Sequence, residues 1–301
     1  MKKILLLADH PGWAWEHRAR DLMSLQFKDL TFQLEFYNQL QVSKISQYDT
    51  IYAPSISMAK QLTKKGINPN KIASGLSSIR SANKFINGDG TIKKSFIEFS
   101  ETLQGINTGS SEIYNLFNQS CSIYKTRTGI FEDIFKPINT PLQNKKVKIG
   151  WVGRIDTETH RSHKGIDLVY EALKSLDVEL ELRTFNEKKV TRNEMVQFYQ
   201  SLDMFICSSI SEQHPMPVLE AAACGVPIIA TNVGIVPELI QHGENGLIVD
   251  RNSEAIKKAV LILLNNKKTC EKFRENIRET IVNKWTWELC KKDWELFFKN
   301  N

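Results

Sequence analysis

The sequence has no long hydrophobic run and no paired cysteine motif. No segment approaches the roughly 18 apolar residues that a membrane span needs. The apolar run at residues 4–8 ends at Asp9 and is too short for the core of a signal peptide. Its five cysteines form no Cys-x-x-Cys pair, which argues against a disulfide framework and a structural zinc site. We therefore expect a cytoplasmic protein, with peripheral contact at the inner face of the membrane as an open alternative.

The sequence also lacks a basic run with interleaved aromatic residues, which is typical of nucleic-acid-binding surfaces. The net charge of +6 comes from 40 basic and 34 acidic residues that are interleaved along the chain. A mixed, solvated surface explains this excess, while an anionic membrane or phosphorylated substrates would also suit it. Nucleic acid is not expected as a partner.

The length of 301 residues favours two domains, at roughly 100–200 residues each. Short apolar runs at 31–36 and 50–53 alternate with helical patterns that begin near Ala14 and at residue 56. Strands that alternate with helices predict a parallel α/β sheet.

The alternation restarts after a polar stretch with two prolines at 136–144, which is typical of a linker. We predict an N-terminal Rossmann-like domain at 1–140, a second Rossmann-like domain at 141–284, and a last helix at 285–301. That helix is a candidate for packing back on the N-terminal domain. The expected architecture is α/β, with two doubly wound domains facing across a cleft.

The most informative segment covers residues 208–227 and follows a predicted buried strand. Glu212 lies on the loop at the carboxyl end of that strand, and Glu220 lies about one turn inside the next helix. Gly225 is expected to end that helix in a left-handed conformation.

The start of this helix predicts a site for a phosphorylated ligand. A helix N-terminus presents free amides and a positive dipole end to a phosphate. The predicted usable amides are those of His214, Met216, Val218 and Leu219. A carboxylate one turn further in can accept hydrogen bonds from two vicinal hydroxyls, as a ribose presents them.

Glu212 and Glu220 match the E-x7-E signature of GT-B-fold, retaining glycosyltransferases of family 4. The following residues, 221–231 and 232–249, also resemble the segments that follow this signature in that family. The resemblance implies that Glu212 contacts the transferred sugar and that Glu220 contacts the ribose of the donor.

Upstream, Gly153-Arg154 and Lys164-Gly165 resemble the GR…KG pattern of the same family. The departing nucleoside diphosphate gathers negative charge in the transition state, which fixed cations stabilise. Arg154 can donate two hydrogen bonds to phosphate oxygens at once, while Lys164 adds a point charge. The sequence has no Asp-x-Asp motif, so we expect no metal and no cofactor beyond the donor itself.

The N-terminal half resembles the family more loosely. Gly12 lies where the family has a glycine-containing loop after the first strand, whose amides approach the donor phosphates or the acceptor, so Gly12 is a candidate donor-binding residue. Many family members place a histidine near the reacting sugar, but this sequence has none between His17 and His160. The acceptor side therefore departs from the family pattern.

The resemblance implies retaining transfer of a hexose-type sugar from a nucleotide sugar, most commonly a UDP-sugar, to a glycan or glycolipid acceptor in cell-envelope synthesis. A nucleotide-sugar-binding pseudoenzyme subunit and a GT-B epimerase or phosphorylase are the alternatives. The expected catalytic residues are Glu212, Arg154 and Lys164. The expected donor-binding residues are Glu220, Gly12, His214, Met216, Val218 and Gly153.

Overall fold

Both halves of the sequence form parallel sheets covered by helices, as the alternating pattern predicts. The structure, a computed structural model, describes residues 1–138, 146–184 and 190–300. The chain divides into a first unit, Met1–Gly129 with Trp287–Asn301, and a second unit, Ile130–Thr286.

The first unit has a six-stranded parallel sheet in the order β2-β1-β3-β4-β5-β6. Its strands are β1 (Lys2–Ala8), β2 (Leu30–Phe36), β3 (Thr50–Ala53), β4 (Ile72–Gly75), β5 (Gly105–Thr108) and β6 (Tyr124–Lys125). Its helices are α1 (Ala14–Ser24), α2 (Ile56–Lys64), α3 (Ile79–Ala82), α4 (Lys94–Thr102) and α5 (Ser111–Phe117). Residues 4–8 of β1 are all buried, because this strand is central and helices cover both faces of such sheets.

The second unit has a five-stranded parallel sheet in the order β11-β10-β9-β7-β8. Its strands are β7 (Val147–Gly153), β8 (Val178–Thr184), β9 (Met204–Cys207), β10 (Ile228–Thr231) and β11 (Leu247–Val249). Its helices are α6 (Glu158–Lys164), α7 (Ile166–Leu173), α8 (Arg192–Gln200), α9 (Met216–Ala223), α10 (Val236–Leu239), α11 (Ser253–Asn265) and α12 (Lys267–Lys284). Apolar residues of α7, α9 and α11 pack on the two faces of the sheet, which gives this unit its core.

The last helix, α13 (Trp287–Lys299), belongs to the first unit. The indole Nε1 of Trp294 donates to the carbonyl oxygen of Arg127 at 2.8 Å. The Arg127 guanidinium also pairs with Asp293 at 2.8 Å, so this helix is fixed by polar contacts as well as by buried aromatic rings.

The division between the units lies earlier in the chain than residue 140, where the sequence places it. Ile130 and Phe135 are buried in the core of the second unit, and the Ile130 N–H donates to the carbonyl oxygen of Trp285 at 2.9 Å. The apolar side chains that precede the predicted linker therefore already belong to the second unit. Most of that linker, residues 139–144, lies outside the described residues.

Over the part of the chain that the structure describes, no helix combines the length and apolar character required to cross a bilayer.

Candidate active site in the second unit

The strand order of the second sheet identifies where a ligand would bind. In the order β11-β10-β9-β7-β8, the direction of chain progression reverses between β7 and β9. Open α/β sheets bind ligands beyond the carboxyl ends of their strands at such a switch point. Arg154 lies on the loop after β7, Lys164 is the last residue of the short helix α6 that follows this loop, and Glu212 lies on the loop after β9.

Lys164 and Glu212 form an ion pair at this switch point. The Nζ atom of Lys164 donates to Oε1 of Glu212, and both side chains are largely buried. The hydroxyl of Ser209 donates to the same carboxylate oxygen at 2.9 Å. The structure therefore brings together two predicted catalytic residues that are 48 positions apart in the sequence.

Ser208 joins the two loops that carry this ion pair. Its hydroxyl accepts a hydrogen bond from Trp151 Nε1 at 3.1 Å and lies 2.8 Å and 3.0 Å from the carbonyl oxygens of Lys164 and Gly165. Gly165 has φ +72°, and a side chain there would meet the Ser208 carbonyl oxygen at 2.5 Å. Only glycine therefore permits this close approach of the backbones.

Arg251, from the loop after β11, connects the same two loops from another side. Its Nε donates to the carbonyl oxygen of Ser208 at 3.0 Å, and its Nη2 donates to that of Ser162 at 2.5 Å. The ring Nε2 of His163 also lies 2.9 Å from the carbonyl oxygen of Ser211. Sequence reasoning missed Arg251, because nothing in its local sequence indicates a contact with segments so far upstream.

Gly234 brings a further loop against the segment that carries Glu212. It has φ +53°, and a Cβ atom there would lie 2.3 Å from the carbonyl oxygen of Gln213 and 2.8 Å from that of Glu212. The N–H of Ile235 donates to the same Gln213 oxygen at 3.0 Å. The position of the Glu212 loop thus depends on a residue that lacks a side chain.

Glu220 is the fifth of the eight residues of α9, and its carboxylate accepts a hydrogen bond from the neighbouring helix. The hydroxyl of Tyr199, on α8, donates to Glu220 Oε2 at 2.7 Å. Tyr199 is fully buried, and both this burial and the nearby Glu220 charge raise the pKa of its phenol well above the usual value. Tyr199 therefore remains a proton donor to the carboxylate at neutral pH. The sequence predicts the position of Glu220 but gave no sign of this partner.

The start of α9 engages two of the amides that the sequence predicts to be usable. The N–H of Val218 donates to the carbonyl oxygen of Pro215 at 2.8 Å, and Leu219 also donates to this oxygen, at 3.4 Å. Both amides are therefore held within the first helical turn, and the donor-binding role of Val218 stays a prediction. His214 is buried before the helix and Met216 opens it, so their donor-binding roles stay predictions.

Arg154 follows the end of β7 and is held by an acid that sequence reasoning did not single out. Its Nε and Nη2 atoms donate to the two carboxylate oxygens of Asp156 at 3.1 Å and 2.6 Å. His160 Nδ1 lies 2.9 Å from Asp156 Oδ1. The Arg154 hydrogen bonds, with that of His160, hold the pKa of Asp156 at about 2. Gly153 is required for packing, since a Cβ atom there would lie 2.5 Å from the Trp151 ring.

Replacing Asp156 by asparagine is expected to loosen Arg154 and to raise the donor KM about 3–10-fold. The folded pKa of about 2 lies below the ordinary value of about 3.9, so the carboxylate's stabilising effect is complete above about pH 4 and is lost as the pH falls through about 2. The change in KM should therefore be the same at every pH between about 5 and 8. Steady-state kinetics across this range measure it.

The matched control is Asp177→Asn, which removes the acid that pairs with Lys146 at the other end of the sheet. This variant should leave the donor KM unchanged. A KM ratio for Asp156→Asn that varied with pH would contradict the assignment of a permanently ionised Asp156.

Gly12, the candidate in the first unit, follows β1 and has φ +79°. Its N–H donates to the carboxylate of Glu16 in the first turn of α1. This hydrogen bond, with a further contribution from Arg20, lowers the pKa of Glu16. The backbone conformation requires glycine, but the amide expected to approach the donor is engaged within its own loop. A donor contact of Gly12 stays a prediction.

A cavity of about 960 Å³ lies elsewhere in the second unit, where Val147 and Met204 begin β7 and β9. None of the predicted catalytic residues is among the described residues that line it. Within the described ranges, no group of three or more His, Cys, Asp or Glu side chains is placed to hold a metal ion.

Comparison with known proteins shows which proteins this part of the chain resembles. The family model described as "Glycosyl transferases group 1" matches residues 178–280, which include Glu212 and Glu220. An uncharacterized glycosyltransferase of Methanocaldococcus jannaschii is 29% identical over 148 residues, covering 42% of this chain and 42% of that protein. The N-acetyl-alpha-D-glucosaminyl L-malate synthase of Bacillus anthracis is 30% identical over 97 residues, covering 32% of this chain and 26% of that protein. The chain thus matches less than half the length of these curated relatives.

Solved structures match the whole chain rather than the second unit alone. HepE of Anabaena, solved in complex with UDP and glucose, has a TM-score of 0.78 at 14% identity, and the match covers 100% of both chains. At this identity the similarity concerns the fold. It shows that this chain has the two Rossmann-like units of the GT-B fold, and the match of the family model shows that residues 178–280 are similar to the glycosyl transferases group 1.

Proposed function

We propose that this protein is a retaining glycosyltransferase that moves a hexose-type sugar from a nucleotide-sugar donor to an acceptor hydroxyl. The observation that carries the proposal is the Lys164–Glu212 ion pair at the switch point of the second sheet. The ion pair joins the lysine of the GR…KG pattern to the first glutamate of the E-x7-E pattern. It lies at the place where an α/β sheet binds its ligand.

Each side chain of the site has a role in this reaction. Glu212 contacts the hydroxyls of the transferred sugar, and Glu220 accepts hydrogen bonds from the ribose. Lys164 and Arg154 stabilise the diphosphate as it departs, because both are fixed by ion pairs before the reaction begins. Preorganised charge needs no rearrangement in the transition state.

The acceptor oxygen attacks the anomeric carbon on the face that the diphosphate leaves. The bond between the anomeric carbon and the diphosphate oxygen breaks as the new glycosidic bond forms. The acceptor proton passes to the departing diphosphate oxygen, so no protein nucleophile is needed. The sugar configuration is retained because entry and departure share one face.

Among the three common nucleotides, UDP is our expectation for the donor. HepE, which shares the fold, was solved with UDP and glucose, and the Bacillus anthracis relative is named an N-acetyl-alpha-D-glucosaminyl L-malate synthase. A glycan or glycolipid acceptor of the cell envelope, reached by peripheral contact with a membrane, completes the proposal.

Calorimetric titration with UDP, GDP and ADP, without metal, tests the donor site. One nucleotide is expected to bind in the micromolar range, and Glu220→Ala should weaken its binding at least about tenfold, since two hydrogen bonds to a charged group are lost. Glu279→Ala, an exposed glutamate on α12, is the control and should bind like the wild type. The proposal fails if the wild type binds none of the three nucleotides.

A donor-binding subunit without turnover is the second candidate. The absence of any histidine between His17 and His160 favours it, because many family members have one near the reacting sugar. Nucleotide-sugar binding without transfer to any glycan or glycolipid acceptor would support this reading over the first.

A further inference from the structure

Tyr199 is a buried phenol whose hydroxyl is directed at one of the two donor-site glutamates. It lies on α8, and its hydroxyl donates to Glu220 Oε2 at 2.7 Å. The ring has no exposed surface and packs against Phe198, Phe205 and Phe135, with centroid distances of 5.2, 5.8 and 6.3 Å. The hydroxyl therefore occupies a fixed position relative to the sheet.

The hydrogen bond limits the positions that the Glu220 carboxylate can adopt. A glutamate on a helix has three rotatable bonds, and a half-buried one would otherwise sample several rotamers. The Tyr199 hydroxyl donates to Oε2 from a fixed ring, so it favours the rotamers that keep this contact. A carboxylate binds two vicinal hydroxyls with good geometry more readily when its position is restricted in this way.

We propose that Tyr199 is a positioning residue that gives the donor site its selectivity for ribose over deoxyribose, acting through Glu220. This inference rests on the proposed function, in which Glu220 contacts the ribose. The inference adds Tyr199, which the E-x7-E pattern does not contain, to the donor site. The selectivity for ribose that it assigns to Tyr199 can be measured by binding, without catalysis.

The test compares Tyr199→Phe with the wild type in the binding of UDP and 2′-deoxy-UDP, with the GDP and ADP pairs in parallel. The substitution removes one oxygen atom and keeps the packed ring. UDP binding should weaken about tenfold, while 2′-deoxy-UDP binding should change less, so the ratio of the two dissociation constants should fall toward one. In turnover, the donor KM should rise with little change in kcat.

Tyr52→Phe is the matched control. Tyr52 is also a buried phenol, and its hydroxyl lies 2.9 Å from Asn107 Oδ1 within the first unit. This variant loses a comparable buried hydrogen bond, so a general loss of stability would appear in both variants as a lower Tm. Only Tyr199→Phe should change the ratio of ribonucleotide to deoxyribonucleotide binding.

The outcomes separate this inference from the proposed function. If the wild type selects the ribonucleotide and Tyr199→Phe keeps that selectivity, the inference is overturned while the donor site stands. If the wild type binds nucleotides without selecting ribose, Glu220 does not contact the ribose and the inference is likewise overturned. If the wild type binds no nucleotide, both fail.

Discussion

Lys164→Ala is expected to lower kcat about 10²–10³-fold, the effect of removing one preorganised group that stabilises developing charge. The Nζ atom of Lys164 is held by Glu212, and the backbone of its loop is held through Ser208. The cation is therefore in place before the diphosphate begins to leave. Because the leaving group is more negative in the transition state than in the bound donor, kcat should fall further than donor affinity.

A second consequence follows for Glu212. Without Lys164, this largely buried carboxylate keeps the hydrogen bond from Ser209 but loses its cation. We therefore expect Lys164→Ala to disturb the contact of Glu212 with the sugar as well. The double variant Lys164→Ala/Glu212→Gln should then lose less activity than the product of the two single losses. Steady-state kinetics of the three variants measure this coupling.

Lys148→Ala is the matched control for Lys164→Ala. The Lys148 side chain is 25% exposed, compared with 27% for Lys164, and it pairs with Glu181 at 3.2 Å in the first half of β7. Its loss removes the same charge from the same unit, away from the switch point. An equal fall of kcat in both variants would mean that the loss of net charge, and not the position of Lys164, causes the effect. An unchanged kcat with a raised KM in Lys164→Ala would mean that Lys164 contributes only to binding of the ground state.

Most strands of both sheets could be predicted from the sequence. Parallel strands buried on both faces appear as short apolar runs, and the segments at 50–53 and 204–207 match β3 and β9. The end of α9 was also predictable, because Gly225 follows it with φ +70°. These features depend on local sequence, which is why pattern reasoning finds them.

The supports of the site could not be predicted in the same way. Tyr199 and Arg251 act through contacts with residues 21 and 43 positions away, and these distances follow from strand order rather than from local sequence. Asp156 is different, because it lies only two residues after Arg154, and its opposite charge is a local signal that the sequence analysis did not use. The sequence thus contains the groups that face the ligand, while the groups that orient them depend on the tertiary structure.

Gly234→Ala should both destabilise the second unit and reduce kcat/KM. The left-handed φ of +53° costs an alanine about 1–2 kcal/mol. The new methyl group would also lie 2.3 Å from the carbonyl oxygen of Gln213, and overpacking of this kind adds about 1–3 kcal/mol. Because that oxygen belongs to the residue after Glu212, relief of the clash must move the loop that carries this proposed catalytic carboxylate.

Gly243→Ala separates these two costs. Gly243 lies in the same unit with φ +80°, but a Cβ atom there would meet nothing within 4 Å. The Gly243→Ala variant should therefore lose only the free energy of backbone strain and keep its kcat/KM. The Tm of Gly234→Ala should be lower than that of Gly243→Ala, by about 2–4 °C for each kcal/mol that the clash adds. Thermal denaturation and steady-state kinetics of both variants measure the difference. Equal losses of activity would mean that the Glu212 loop is not fixed by this close approach, since strain alone would then account for both.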